Sequence, residues 1–177
     1  MTKPFEEKKF SIPKLKGISE KTIEEHLKLY AGYVKNANEI LASGQFERRF
    51  SFEFNGMRNH EIYFSHFEGG PQPLSLDSTI VKVEFDLEKF KALALTRGVG
   101  WAMLVWDPVS KQLLNNWVDE QHLGQLNSCI PILALDMWEH SYVADYQPSG
   151  KKQYVEDFFA NLNWQSVEEN FSNAVQK

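Results

Sequence analysis

Asp136 and His140 stand four residues apart, behind an apolar run from Ile130 to Leu135. That run is short and apolar, which suits a buried strand. Asp136 would then lie at the strand's end and His140 one turn into the next element. Four-residue spacing sets two heads on one side of a helical turn. A carboxylate and an imidazole converging there can be two ligands of one metal ion. The same spacing also serves a surface ion pair or a helix N-cap, so spacing alone leaves the choice open.

The elements that must position such a pair can be read along the chain. Residues 3 to 17 form an irregular arm interrupted by Pro13 and Gly17. Ser19 is a good N-cap, with Glu20 facing the positive end of a helix that runs from about 20 to Ser43 and stops at Gly44. Ile23, Leu27, Tyr30, Val34 and Ala37 recur at helical spacing, and His26 lies beside that stripe. On its own, His26 reads as a partly buried polar residue. A second helix is expected over 45–66, with Phe46, Phe50, Phe54, Met57, Phe64 and Phe67 on its buried side and His60 on its course. So short a connection makes the two helices antiparallel neighbours. Gly56 sits mid-helix, where glycine costs about 1 kcal/mol against alanine, and close approach of another group to the backbone would justify it.

Gly69-Gly70-Pro71-Gln72-Pro73 is the strongest breaker and divides the chain into a helical hairpin, 1–70, and a second half, 71–177. A helix opening at Asp86 reaches about Arg97, with Gly98 as its C-cap. Residues 99–106 and 112–118 form a hairpin turned by Asp107-Pro108. A polar loop covers 119–129, and the strand at 130–135 completes a three-stranded sheet. Helices over 154–162 and 166–174 close the chain. Helices, then a small sheet, then helices argue for an α+β fold.

At 177 residues the chain is one domain, or two small halves sharing a core. Its 42% apolar and 14% aromatic content argues against disorder. A net charge of −5 argues against a nucleic-acid partner held through phosphates. Cys129 is the single cysteine, which excludes an internal disulfide and a Cys-rich zinc site and fits a reducing, cytoplasmic compartment. Met1 to Phe10 lack the apolar core of a secretory signal, and no apolar stretch is long enough to span a membrane.

The wording from Pro131 to Tyr142, Pro-Ile-Leu-Ala-Leu-Asp-Met-Trp-Glu-His-Ser-Tyr, followed by Asp145-Tyr146, resembles the C-terminal signature of the iron/manganese superoxide dismutases. Asn59-His60, Thr22 ahead of His26, and Gly32-Tyr33-Val34 extend the resemblance over nearly the whole chain from Ile12. It implies an N-terminal antiparallel helical hairpin followed by a half built on a three-stranded antiparallel sheet. It implies one manganese or iron ion per subunit, held by His26, His60, Asp136 and His140. It implies superoxide as substrate and a homodimer, with a tetramer left open. Three imidazoles and a hard carboxylate suit such an ion, whereas zinc would bind but not cycle. The alternative is a non-catalytic metal-binding protein of the same fold; a zinc hydrolase is weaker, since no general base stands beside the four residues.

The resemblance also assigns a surrounding ring. Tyr33 matches the tyrosine at the mouth of the substrate channel, and Trp101 and Trp138 match aromatic walls, a place ordinary core packing would also explain. Glu139 matches the residue that reaches the partner subunit's ligand histidine, or else is a plain surface acid. Lys152 roughly matches a basic residue that steers the anion. The sequence departs from the pattern in three places. His26 to Tyr33 spans seven residues rather than eight, and one deleted helical residue turns the remainder of the helix by about 100°. Tyr30 stands where the channel histidine is usual, and Val143 replaces that histidine's interface tyrosine. His66 and His122 match no ligand and read as surface histidines. In iron-type members a glutamine four before the second-helix ligand contacts the metal-bound solvent. Here that position is Gly56, and Gln121, with Gln125 as substitute, matches the glutamine of manganese-type members. The pair favours manganese or dual-metal use.

Overall fold

The computed structural model describes residues 3–83 and 85–176. Helix α1 spans Glu20–Ser43, and the Ser19 side chain accepts from the Thr22 amide as its N-cap. Gly44 ends it in the left-handed conformation at φ 67°, where a side chain would be strained. Helix α2 spans Arg48–Ser65, starting three residues later than the apolar pattern implies. Glu47 precedes it in extended conformation and makes no side-chain cap. The two helices pack side by side as an antiparallel hairpin.

A four-residue helix α3, Thr79–Lys82, was not foreseen; the Glu168 carboxylate accepts from the Thr79 and Ile80 amides at its start. Helix α4 is Leu87–Ala94 and stops short of Arg97, with Leu95 as its cap rather than Gly98. The glycine that the backbone demands here is Gly100, at φ 150°. A Cβ there would lie 2.1 Å from the Val118 carbonyl oxygen.

Strands β1 (Gly100–Asp107), β2 (Gln112–Asp119) and β3 (Ile130–Asp136) form one antiparallel sheet in the order β2-β1-β3. β1 is central and buried over nearly its whole length, which explains its unbroken apolar sequence. Pro131 is tolerated because β3 is an edge strand. The register shifts between Leu104 and Val105, so Ile132 bulges out of the ladder. Beyond the bulge, Trp101 pairs with Asp136.

After β3 the chain makes a 3-10 turn at Glu139–Ser141, the short helix α5 (Val143–Tyr146), and a second 3-10 turn at Pro148–Gly150. Helices α6 (Lys151–Asn161) and α7 (Trp164–Val175) follow. One cluster of buried side chains runs from Leu15 to Ala174 through both hairpin helices, the sheet and the closing helices. The helices-then-sheet-then-helices order is an α+β fold. Among the described residues, no helix is long and apolar enough to cross a membrane.

Candidate metal centre

Four side chains from four elements converge where α1 and α2 meet the end of β3. His26 comes from α1, His60 from α2, Asp136 from the last residue of β3, and His140 from the 3-10 turn. The Asp136–His140 stretch is therefore not a helical turn. Met137 leaves the strand hydrogen-bonded to the Gly100 carbonyl, and the 3-10 turn swings His140 back. Asp136 Oδ2 lies 3.2 Å from His26 Nε2, 3.6 Å from His60 Nε2 and 3.2 Å from His140 Nε2. The four donor atoms all fall within 4.8 Å of one another.

The donor chemistry fits a metal ion. His60 Nδ1–H donates to the Gly56 carbonyl, which fixes the tautomer and leaves the Nε2 lone pair facing the cluster. His60 Nε2 is buried and has no hydrogen-bond partner among the described residues. A buried acceptor left orphaned is costly, and a cation at the focus removes that cost. The separations suit nitrogen and oxygen donors bonded at about 2 Å to one centre.

Burial drives the His26 and His60 imidazoles toward their neutral forms, His60 down to about 3. Burial also opposes charge on Asp136, but its contacts with the facing His140 and His26 rings outweigh it and hold the carboxyl well below the usual range. One carboxylate with neutral imidazoles is the state that metal ligation requires. Asp136 is fixed at the two oxygens that do not face the imidazoles. Oδ1 accepts from the Trp138 amide at 2.8 Å, and the backbone carbonyl accepts from Tyr154 O–H at 2.9 Å.

Beside this cluster lies a set of hydrogen bonds centred on Gln121. Trp101 Nε1–H donates to Gln121 Oε1 at 2.9 Å, and Gln121 Nε2 donates to the Tyr33 hydroxyl at 3.0 Å. Asn59 Nδ2 donates to the Gln121 carbonyl at 3.0 Å. Gln121 is fully buried although it belongs to a polar loop, whereas Gln125 is exposed. The Tyr33 and Trp101 rings lie 5.1 and 5.0 Å from that of His60. The tight approach expected at Gly56 is there: a Cβ would sit 2.6 Å from the Tyr33 ring. The seven-residue spacing thus still delivers Tyr33 to the site from an unbroken α-helix.

Trp138 stacks on His140 at 5.8 Å and donates to the Glu120 carbonyl at 3.1 Å. Glu139 is exposed beside His140, and Lys152 is exposed on the first turn of α6. Among the described residues Lys152 makes no hydrogen bond or ion pair with the cluster. Tyr30 is not brought to the centre. Its ring packs on Phe10 and Phe64, and its hydroxyl donates to Glu61 at 3.3 Å and accepts from the Lys8 amide.

His66 is not a surface residue. It is fully buried, accepts from the Ala134 amide at Nε2 and meets Ser166 Oγ at Nδ1. His122 is half-buried with its ring against Phe52. Two residues of the site carried no assignment from sequence, Asn59 as the clamp on Gln121 and Tyr154 as the donor to Asp136. Asn59 was signalled only by its place beside His60; Tyr154 approaches from α6 and left no local signal.

Comparison with known proteins agrees with the geometry. The profile described as iron/manganese superoxide dismutases, C-terminal domain, matches residues 76–170. Superoxide dismutase [Fe] of Aquifex aeolicus is 32% identical, over 92% of this chain and 88% of its own. Superoxide dismutase [Fe] of Cupriavidus metallidurans is 34% identical, over 92% and 93%. Superoxide dismutase [Mn/Fe] of Aeropyrum pernix is 30% identical, over 85% and 80%. With a matching profile, relatives similar over most of their length and four side chains able to hold a metal gathered at one point, the chain belongs to the iron/manganese superoxide dismutases.

Proposed function

We propose that this superoxide dismutase holds one manganese or iron ion on His26, His60, Asp136 and His140. There it converts two superoxide anions and two protons to oxygen and hydrogen peroxide. The observation that carries the assignment is the convergence of three imidazole nitrogens on one buried carboxylate oxygen, with His60 Nε2 lacking any other partner. Bound there, the ion supplies the one-electron couple that stores an electron between the two half-reactions. Asp136 contributes the single negative charge of the donor set, which favours the more highly charged oxidation state.

The surrounding residues handle protons and water. Gln121 Nε2 donates to the Tyr33 oxygen, so the Tyr33 O–H is free to point into the site. Burial, then the charge of Asp136, holds that phenol protonated. Trp101 fixes the Gln121 carboxamide with its oxygen turned away, leaving the second N–H of Nε2 for the site. Tyr33, Trp101 and Trp138 wall out bulk water. Gly56 without a side chain and Gln121 buried beside the cluster support manganese or dual-metal use over strict iron dependence.

The functional unit we propose is a homodimer in the cytoplasm that removes superoxide as an antioxidant defence. Glu139 supports the dimer, since it is exposed beside a half-buried ligand histidine and free to bond a partner subunit's His140. Lys152 offers an exposed positive charge to an anionic substrate in a chain of net charge −5. Metal analysis and a superoxide-decay assay on the protein as isolated test the reading. Stoichiometric manganese or iron with catalytic decay is expected; stoichiometric zinc without decay would overturn it. Apoprotein reloaded separately with each metal should be active with manganese or with both. Activity with iron only would refute the metal preference.

A further inference from the structure

A file of tyrosines leads away from the metal centre, and no part of the dismutation uses it. Tyr63 packs its ring 5.0 Å from that of His26, and its hydroxyl lies 3.1 Å from the Tyr154 hydroxyl. Tyr154 donates to the Asp136 carbonyl, so Tyr63 is the donor in that pair. Both tyrosines are fully buried. The Tyr154 ring then meets Tyr146 edge-on at 5.9 Å. Tyr146 is half-buried, and its hydroxyl donates to Asp157 Oδ2 at 3.0 Å. Asp157 is buried; Gln153 Nε2 donates to its Oδ2 at 3.1 Å, Lys16 Nζ lies 3.3 Å from its Oδ1, and Oδ1 has no hydrogen bond among the described residues. The Gly17 backbone closes over the pair so tightly that a Cβ there would lie 2.2 Å from the Tyr146 hydroxyl and 2.5 Å from Asp157.

We propose that Tyr63, Tyr154 and Tyr146 form a chain that carries oxidising equivalents from the metal centre to Tyr146, with Asp157 as the base that makes Tyr146 the end point. This rests on the centre holding a redox metal. Hydrogen peroxide, the product of dismutation, is split by one electron from the reduced centre into hydroxide and a hydroxyl radical. The radical takes an electron from Tyr63 and becomes hydroxide. The vacancy passes as Tyr154 refills Tyr63 and Tyr146 refills Tyr154. At Tyr146 the phenolic O–H bond breaks and its proton forms an O–H bond on Asp157 Oδ2. The sum is hydroxyl radical plus Tyr146 phenol plus Asp157 carboxylate, giving hydroxide, Tyr146 phenoxyl radical and Asp157 carboxylic acid. A phenol is far harder to oxidise when its proton has nowhere to go, and this decides between the candidates. Among the described residues Trp101 and Trp138, like Tyr63 and Tyr154, hydrogen-bond no base, so a vacancy rests at none of the four and only Tyr146 can be its end point. Tyr30 hydrogen-bonds Glu61 at 3.3 Å, longer than the 3.0 Å from Tyr146 to Asp157, and its ring packs on Phe10 and Phe64, which are too hard to oxidise to relay a vacancy. At its half-exposed position Tyr146 can be reduced by small molecules from solvent, sparing the ligand histidines and Trp101.

The test is to treat iron-loaded holoprotein with hydrogen peroxide and a nitroso spin trap, then locate adducts and oxidised residues by peptide mass spectrometry. The adduct is expected on Tyr146. Tyr146→Phe should lose it, keep its superoxide-decay rate, and show several-fold more oxidation at His26, His60 and Trp101 per peroxide consumed. Asp157→Asn keeps a hydrogen-bond acceptor but no base, so it should also lose the Tyr146 adduct. An adduct confined to Trp101 or Trp138 in the unaltered protein, or an undiminished Tyr146 adduct in Asp157→Asn, would overturn the chain of tyrosines while leaving the dismutase reading intact. Failure of the protein to bind iron or manganese would overturn both.

Discussion

Gly56 and Gln121 are the residues that hold Tyr33 and Trp101 beside the metal centre. A methyl at position 56 meets the Tyr33 ring at 2.6 to 2.9 Å. Overpacking of this kind costs about 1–3 kcal/mol, and the better helix propensity of alanine returns about 1. Gly56→Ala should therefore lower stability in urea unfolding by up to about 2 kcal/mol and loosen Tyr33 from Gln121. Gln121→Ala orphans the buried Trp101 N–H, at a cost of about 1–3 kcal/mol. It should also move the ratio of activities of the manganese-loaded and iron-loaded forms, and an unchanged ratio would remove Gln121 from the site. The four clustered residues and Gln121 were legible from their wording. Tyr30 and His66 were not, because spacing gives a face of a helix and not the partner on it. Tyr30 follows the Glu61 carboxylate and the N-terminal arm, which lie far from it in sequence. His66 is buried only because β3 and α7 come back to meet it.

At the scale of elements, the features read correctly had local physical causes. Ser19 and Gly44 bound α1 as an N-cap and a left-handed stop do, and Ser19→Ala should cost about 1 kcal/mol in urea unfolding. The Asp107-Pro108 turn and the apolar run of β1 set the hairpin. The short α3 escaped because its capping carboxylate, Glu168, arrives from α7. Gly98 was mistaken for a cap because sequence does not show that Gly100 is the position pressed against β2. His66 ties the end of α2 to β3 and α7 as a neutral imidazole. Burial pulls it from 6.5 to about 3. The unfolded chain therefore binds a proton that the folded one excludes. The stability this group contributes is complete above pH 6.5 and is lost as pH falls toward 3. In metal-loaded protein, urea unfolding between pH 7.5 and pH 4.5 should show a shallower pH slope for His66→Gln, by at most about 1.4 kcal/mol per pH unit. Equal slopes would mean that His66 is protonated in the fold.

At the scale of the molecule, the centre joins the helical hairpin to the sheet, so metal and fold are linked. A bound ion stabilises only the folded state, and its removal should lower the midpoint of thermal unfolding. Glu139→Gln should weaken the proposed dimer through loss of a charge-assisted hydrogen bond, read as a raised dissociation constant in sedimentation equilibrium. An unchanged constant with unchanged activity would make Glu139 a plain surface acid. The proposed subunit contact has little signal in the sequence, since a residue that contacts another copy reads like any exposed one. The most direct measurement is the metal content and superoxide-decay rate of His26→Ala, His60→Ala and Asp136→Ala beside the unaltered protein. The account predicts less retained metal, a lower melting point and lost activity in each. Full metal content and full activity in all three would contradict it.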